Sequence, residues 1–308
     1  MDNFKRLCVS YVEFCAAHRL VIFPPDYQNI ARYLTLVTTK VSAFGTMTNK
    51  LSGLSKFYNL SGHPINVHHP LIELLIKSCK REMSVSARPK APLEPGHILL
   101  IAQILDNSDP YHRLFFVALV IQFFACLRKS NLLPPSLRAF SPFHHLTRGD
   151  IHQVPGALIL TLPWAQNLQN NDDVITLPIA DVPGALLNPV QTYLQFVGEF
   201  PLPSPRMPAF ALIRAGKLLV LTQQNYINIL KHYLTRLNIP AEAYSSHSVR
   251  RGGTTLLWRS GASQKQIKAH GGWSSQCYER YIDVSHADKL QSTHQMVSYI
   301  NNYYGANQ

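Results

Sequence analysis

The run Leu114–Leu127, 14 residues broken only by Gln122, constrains the architecture of this chain more than any other feature. It is shorter than the ~20 apolar residues that a bilayer-spanning helix needs. A helix that is apolar on every face must instead be wrapped by other elements, so it predicts a buried central helix. The rest of the chain can supply that wrapping: it has 308 residues, 46% of them hydrophobic. At roughly 150 residues per domain this length suggests about two domains, with ample material for a core.

Hydrophobic spacing places several more helices. Phe4, Leu7, Cys8, Tyr11, Val12 and Cys15 recur at helical intervals and predict an amphipathic helix over 4–15. Further helices are predicted at Asp26–Thr39, capped by Asp26, at Thr46–Asn59 and at Pro70–Met83. Residues 1–84 therefore read as a small four-helix domain. Ser84–Pro95 (SVSARPKAPLEP), with three prolines and two basic residues, reads as an extended linker. Helices resume at Pro95–Asn107 and Tyr111–Leu127. Ala157–Pro163 and Val174–Pro178 are strand-like and separated by a polar turn, Gln166–Asp173. Helical patterns return at 188–198 and 222–237. Three or four short helices are expected over 244–308, broken by Gly261, Gly271-Gly272 and Gly305.

Charge narrows the class of partner. Only 15% of residues are charged, yet 29 are basic and 17 acidic, a net charge of +12. Residues 1–88 hold 11 basic and 5 acidic residues, and residues 89–308 hold 18 and 12, an excess of six on each side. Two basic bodies rather than a basic tail point to a polyanion, most simply nucleic acid. The five cysteines form no CxxC pair, which fits a reducing compartment and argues against a disulfide framework or zinc knuckle. The first residues, MDNFKRLCVSYVEF, lack the apolar stretch and cleavage site of a signal peptide, and no membrane association is expected. His68-His69 and His144-His145 have no Cys or acidic neighbours, so no metal site is expected. Clustered carboxylates for two-metal chemistry are missing. Gly216-Lys217 lacks the rest of a phosphate-binding loop, so no nucleotide cofactor is expected.

Three segments carry candidate chemistry. In Ser245-Ser-His-Ser-Val-Arg-Arg-Gly-Gly-Thr-Thr255, His247 and Arg250 share one face of a helix and together can grip a phosphate, with Arg251 off that face. Taken alone, His-x-x-Arg is an ordinary surface pair. The second segment, Phe124-Ala-Cys-Leu-Arg-Lys-Ser-Asn-Leu132, sets Arg128 directly after the apolar run, at the edge of the core. In the third, His270-Gly-Gly-Trp-Ser-Ser-Gln-Cys-Tyr-Glu-Arg-Tyr-Ile282, Trp273 lies eight residues before Tyr281, with a serine pair to cap a short helix between them. His270 reads as a cap or a surface residue, with a second phosphate donor as the alternative.

Leu127-Arg128-Lys129-Ser130, His247-Ser-Val-Arg250, Gly272-Trp273 and Tyr281, in this order, resemble the tyrosine recombinase (integrase) family. The wording LRKSNLLPP, LTRGDI, SSHSVRRGGTT and GGWSSQCYERYI resembles the recombinases of eukaryotic mobile elements of the Crypton and DIRS-like kind. The resemblance implies a mainly α fold with a small β-sheet: a helical core-binding domain over 1–84, a linker over 85–96, an α+β catalytic domain over 97–285, and a C-terminal helix or tail over 286–308. It also implies a site-specific recombinase for element integration or excision. In that family a tyrosine attacks a DNA phosphodiester, leaving a 3′-phosphotyrosyl bond and a free 5′-hydroxyl. Bond energy is conserved, so no cofactor is needed. On this resemblance Tyr281 is the nucleophile, Arg128 and Arg250 neutralise the transition state, His247 exchanges a proton and Trp273 donates its indole N–H. A free phenol has a pKa of about 10, so the tyrosine needs cations or a base beside it. Tyr278, one helical turn earlier, remains a second candidate.

One position departs from the family. A lysine on the β-hairpin usually protonates the leaving 5′-oxygen; here Gln166 occupies that position, and no lysine lies between 130 and 216. A neutral amide donates a hydrogen bond but delivers no proton. Three readings follow: His247 or water substitutes, Lys217 reaches in, or the protein binds DNA with weakened or lost cleavage. A type IB topoisomerase shares the chemistry but fits this motif style and compact size less well. Double-stranded DNA is the implied partner, held in a C-shaped clamp with Lys40, Lys50, Lys56 and Arg251 as candidate phosphate contacts. A homotetramer or dimer on DNA is expected, with apolar residues of 286–304 (Leu290, Met296, Val297, Tyr299, Ile300, Tyr303, Tyr304) exchanged between protomers or docked on their own domain. The implied location is the nucleus in a eukaryote, otherwise the cytoplasm or nucleoid, and not outside the cell.

Overall fold

The computed structural model describes residues 2–40, 44–82, 90–163, 175–273, 275–285, 287, 288, 290 and 297. The chain divides into two compact units, Met1–Pro89 and Lys90–Gln308.

The first unit is helical: α1 (Asp2–Ala17), α2 (Tyr27–Lys40), α3 (Phe44–Leu60) and α4 (Pro70–Glu82). All four lie where hydrophobic spacing predicts them. Asp26 caps α2 by accepting from the Gln28 N–H at 2.7 Å. The core is aromatic. Tyr11 and Tyr58 are both fully buried and their hydroxyls meet at 2.8 Å. Tyr58 also donates to the Ile22 carbonyl at 3.0 Å, so these buried phenols are satisfied.

The second unit begins inside the stretch read as linker. The Ala91 N–H donates to Ala243 O at 2.9 Å and the Leu93 N–H to Ser248 O at 2.8 Å, which binds this strand of chain to the unit that follows. Then come α5 (Pro95–Ile104) and α6 (Pro110–Phe124). Helix α6 is buried from Leu114 to Phe123 except at the partly buried Phe116, as the apolar run requires. It ends three residues earlier than expected. Cys126 takes a positive φ of 50°, a left-handed conformation that no helix continues through, and the apolar run finishes in a turn. A short helix α7 (Lys129–Leu132) follows, with Arg128 as its N-cap residue.

Three antiparallel strands, β1 (Ile151–Val154), β2 (Ala157–Leu162) and β3 (Ile175–Ala180), form a sheet in the order β1-β2-β3, in which Leu162 pairs with Ile175. Strand β1 was not foreseen. After α8 (Pro189–Glu199) comes a second hairpin, β4 (Ala211–Arg214) and β5 (Lys217–Val220), whose strands were not foreseen. Its two-residue turn has Ala215 at φ 49° and Gly216 at φ 72°, the positive pair that a tight hairpin demands. Helices α9 (Gln223–Arg236), α10 (Ser246–Arg259) and α11 (Gln264–Gly271) and a 3-10 helix, Gln276–Tyr281, complete the described fold. Among the described residues no helix is long and apolar enough to cross a membrane, and no three His, Cys, Asp or Glu residues group as metal ligands.

Candidate active site

Helix α10 brings its motif to the end of α6 through two glycines. A Cβ on Gly252 would stand 1.9 Å from the Leu93 carbonyl oxygen, and one on Gly253 2.1 Å from that of Phe123. Only residues without side chains allow this approach. It carries Arg250 into the interior at 2% exposure, a cost that a buried cation bears only with compensation. The structure offers little of it. Arg250 Nη2 donates to Gly271 O at 3.2 Å, its guanidinium carbon lies 4.0 Å from the Trp273 ring centroid, and the Tyr281 ring is 5.1 Å away. Among the described residues no carboxylate pairs with Arg250 or Arg128. Burial, then the charge of Arg128, pushes the Arg250 pKa down to about 10.

The sequence-predicted residues converge here. Trp273 is 4% exposed, with its ring 5.7 Å from that of Tyr281 and 6.1 Å from that of Tyr278. Its placement rests on Gly271, where a Cβ would collide with the indole at 1.7 Å. The His247 ring lies 6.5 Å from the Tyr281 ring, inclined 30° to it. Desolvation first, then Arg128, Arg250 and Lys129, hold the imidazole pKa below its ordinary value, which favours the neutral form. Arg128, at the turn after α6, is half-buried. The two tyrosines part company. Tyr278 is 1% exposed and packs with Cys126, Ile267 and Trp273, whereas Tyr281 is half-exposed at the edge of this cluster. Two buried donors, Arg250 Nε and Trp273 Nε1, have no acceptor among the described residues. Where the Arg250 guanidinium packs on the Trp273 ring beside Tyr281, two donors left without acceptors suit an anion with several oxygens.

The backbone around Tyr281 is tied to α10. Thr255 Oγ1 donates to the Tyr281 carbonyl at 3.1 Å and accepts from the Asp283 N–H at 3.1 Å. Sequence reading passed over Thr255. Arg251, read as a phosphate contact, forms an ion pair with Asp283 and donates to Lys90 O at 3.4 Å. His270 Nε2 lies 2.5 Å from Phe124 O at the end of α6.

Gln166 lies outside the described residues. The strands on either side of its segment are described, however, and the site end of β3 is close: Ile175 Cδ1 stands 3.6 Å from where a Gly272 Cβ would be. Lys217, the alternative proton donor, is at the wrong end of α6. The hairpin-turn residue Arg214, paired in register with Lys217, reaches Asp109 at 3.5 Å, just before α6 begins. Arg128 lies beyond the other end of that helix, about 22 Å away at 1.5 Å per residue. In the first unit Lys50 and Lys56 line one groove of about 580 Å³ with Phe4, Arg6 and Asn49. The side chain of Lys40 is outside the described residues, as are most of 286–304. Of the tail, Leu290 and Val297 are exposed.

No protein-family model and no curated protein matches the chain. Solved structures do. The Tn1549 transposon integrase in complex with transposon right end DNA superposes with a TM-score of 0.59 at 14% identity, over 96% of this chain and 94% of that one. The XerH site-specific recombinase bound to palindromic difH substrate gives 0.56 at 14%, over 89% and 72%. A lambda integrase dimer bound to a COC′ core site gives 0.51 at 14%, over 89% and 87%. At these identities the likeness is one of fold: mostly helical with a small antiparallel sheet, the architecture of tyrosine recombinases.

Proposed function

We propose that this chain is a site-specific DNA recombinase of the tyrosine class, serving a mobile element. The observation that carries the reading is the pair of buried donors without acceptors, Arg250 Nε and Trp273 Nε1, packed beside Tyr281. The pair suits a phosphodiester whose charge grows as it becomes five-coordinate. The mobile-element role rests on the motif resemblance.

In the proposed reaction the Tyr281 Oη forms a bond to phosphorus while the bond from phosphorus to the 5′-oxygen breaks. The phenol loses a proton and the leaving oxygen gains one, so the step is proton-neutral overall. His247, held towards its neutral form, takes the phenolic proton. Arg128 and Arg250 neutralise the non-bridging oxygens, and the Trp273 indole donates to one of them. With Lys217 remote, His247 or water remains to protonate the 5′-oxygen. The reverse reaction with another 5′-hydroxyl reseals the strand. Half-exposure favours Tyr281 over the enclosed Tyr278 as nucleophile. The proposed assembly is a dimer or tetramer on duplex DNA.

Covalent capture tests this. Nicked suicide duplexes carrying element-end sequences are expected to yield a denaturation-resistant adduct that Tyr281→Phe abolishes while binding persists. An adduct that survives in Tyr281→Phe would move the nucleophile to Tyr278. Gln166 supports a second reading, a DNA-binding protein with weakened cleavage. Salt-sensitive binding without an adduct, with cleavage restored by Gln166→Lys, would favour it.

A further inference from the structure

Gln122 is a polar residue in the middle of the apolar run, and the proposed chemistry gives it no part. It is fully buried on α6. Its amide nitrogen donates to two carbonyls, that of Leu127 at 3.0 Å and that of Ser246 at 3.3 Å. Its amide oxygen accepts from the hydroxyl of Tyr226, itself fully buried, at 2.5 Å. Its backbone carbonyl accepts from the Leu127 N–H at 3.1 Å. Leu127 is the residue before Arg128, and Ser246 the residue before His247.

We propose that Gln122 is a positioning residue that fixes Arg128 and His247 relative to one another by clamping the peptide carbonyls immediately preceding both. The turn after α6 needs such a clamp. Cys126 holds it in a left-handed conformation that a non-glycine residue resists, and Arg128 lies only two residues further on. Without the amide, the Leu127 and Ser246 carbonyls lose a buried donor and the two chain segments lose their common tie. An apolar side chain would fill the same space and leave the arginine and the histidine free to separate. The Tyr226 hydroxyl satisfies the remaining amide oxygen.

The inference rests on the recombinase reading for its catalytic meaning, so the test has one arm that does not. In Gln122→Met, which conserves shape but donates nothing, the rate of covalent adduct formation at saturating protein is expected to fall about tenfold or more, as small misplacements of catalytic groups do. Affinity for duplex DNA is expected to stay within about threefold, because the cations remain. Tyr226→Phe removes one hydrogen bond from the same core but spares both carbonyl contacts. It is expected to cost comparable thermal stability and much less rate. A rate loss that merely follows stability across both variants would overturn the proposal. In the second arm, NMR titration of the His247 imidazole in the free protein reads its distance from the cations around it, Arg128, Arg250 and Lys129. Gln122→Met is expected to move that pKa; an unmoved value would overturn the proposal even if the wild type forms no adduct. Absence of an adduct in the wild type counts against the recombinase reading alone.

Discussion

Trp273 and His247 make opposite demands on the same site. The indole supplies a large apolar surface for Arg250 and a single N–H, and that N–H has no acceptor among the described residues. Trp273→Phe keeps most of the surface and removes the donor. If the N–H meets a phosphate oxygen whose charge grows in the transition state, its loss costs about 1.5–3 kcal/mol, or roughly 10- to 150-fold in adduct rate. Duplex affinity and melting temperature are expected to change little, and an unchanged single-turnover rate would assign the indole to packing alone. His247 contributes through charge. Its folded-state pKa lies below the ordinary value of about 6.5. Above that pH the imidazole is neutral folded or unfolded and adds no pH dependence. As the pH falls through 6.5 towards the lowered value, the unfolded chain takes up the proton first, so stability declines. His97 and His145, also held down by burial, act in the same direction. The His247 part is therefore read as a difference: between pH 7 and 5 the melting temperature of His247→Gln is expected to fall less than that of the wild type. A bound phosphate reverses the sign locally by favouring the imidazolium. DNA binding by Tyr281→Phe is then expected to tighten as the pH drops from 8 to 6, and His247→Gln should flatten that trend.

Among the elements, α10 is tightly held, because it touches α6, the 3-10 helix and the strand of chain at Leu93 at once. Gly253→Ala would drive a methyl group into the Phe123 carbonyl, a backbone atom that cannot swing away. Overpacking of this kind costs about 1–3 kcal/mol, read as a lowered urea midpoint. It should also slow cleavage, because the displaced helix carries both His247 and Arg250. Thr255→Val keeps the shape and breaks both hydrogen bonds that tie the 281–283 backbone to α10. The expected result is a slower adduct rate with near-normal DNA affinity; loss of affinity in step with rate would mean that the whole 3-10 segment had unfolded. The helices and the order of the motifs were legible in the sequence because they depend on spacing, which a linear reading preserves. The four-residue strands β1, β4 and β5 are too short to display alternation. The tight geometry of the turn at Ala215 was hidden because alanine gives no sign of a positive φ. The end of α6 was misread for the same reason at Cys126, where composition continues and geometry does not. Of the unforeseen site residues, Thr255 carries no signal in a single sequence. Gln122 does carry one: an amide inside an apolar run must find partners.

For the whole molecule, charge is the property that both units share. The six-charge excess on each side of residue 88 belongs to two compact bodies with separate cores. In the first unit, part of that charge lines the groove formed with Lys50 and Lys56. In the second, the uncompensated pair Arg128 and Arg250 lies in the site by Tyr281. If both bodies contact DNA phosphates, each releases its own share of condensed counterions. The slope of log affinity against log salt concentration is about −0.9 per phosphate neutralised, so the contributions add. Tyr281→Phe separates this binding from covalent capture and is the form to measure. Full-length Tyr281→Phe is expected to bind duplex with a steep negative slope. The same variant restricted to residues 90–308 is expected to bind more weakly, with a distinctly shallower slope. Lys50→Gln with Lys56→Gln in the full chain should reduce the slope by about two, one per lysine engaged with a phosphate. Equal slopes for the full chain and the 90–308 fragment would assign all phosphate contact to the second unit. The basic excess of the first unit would then serve solubility alone.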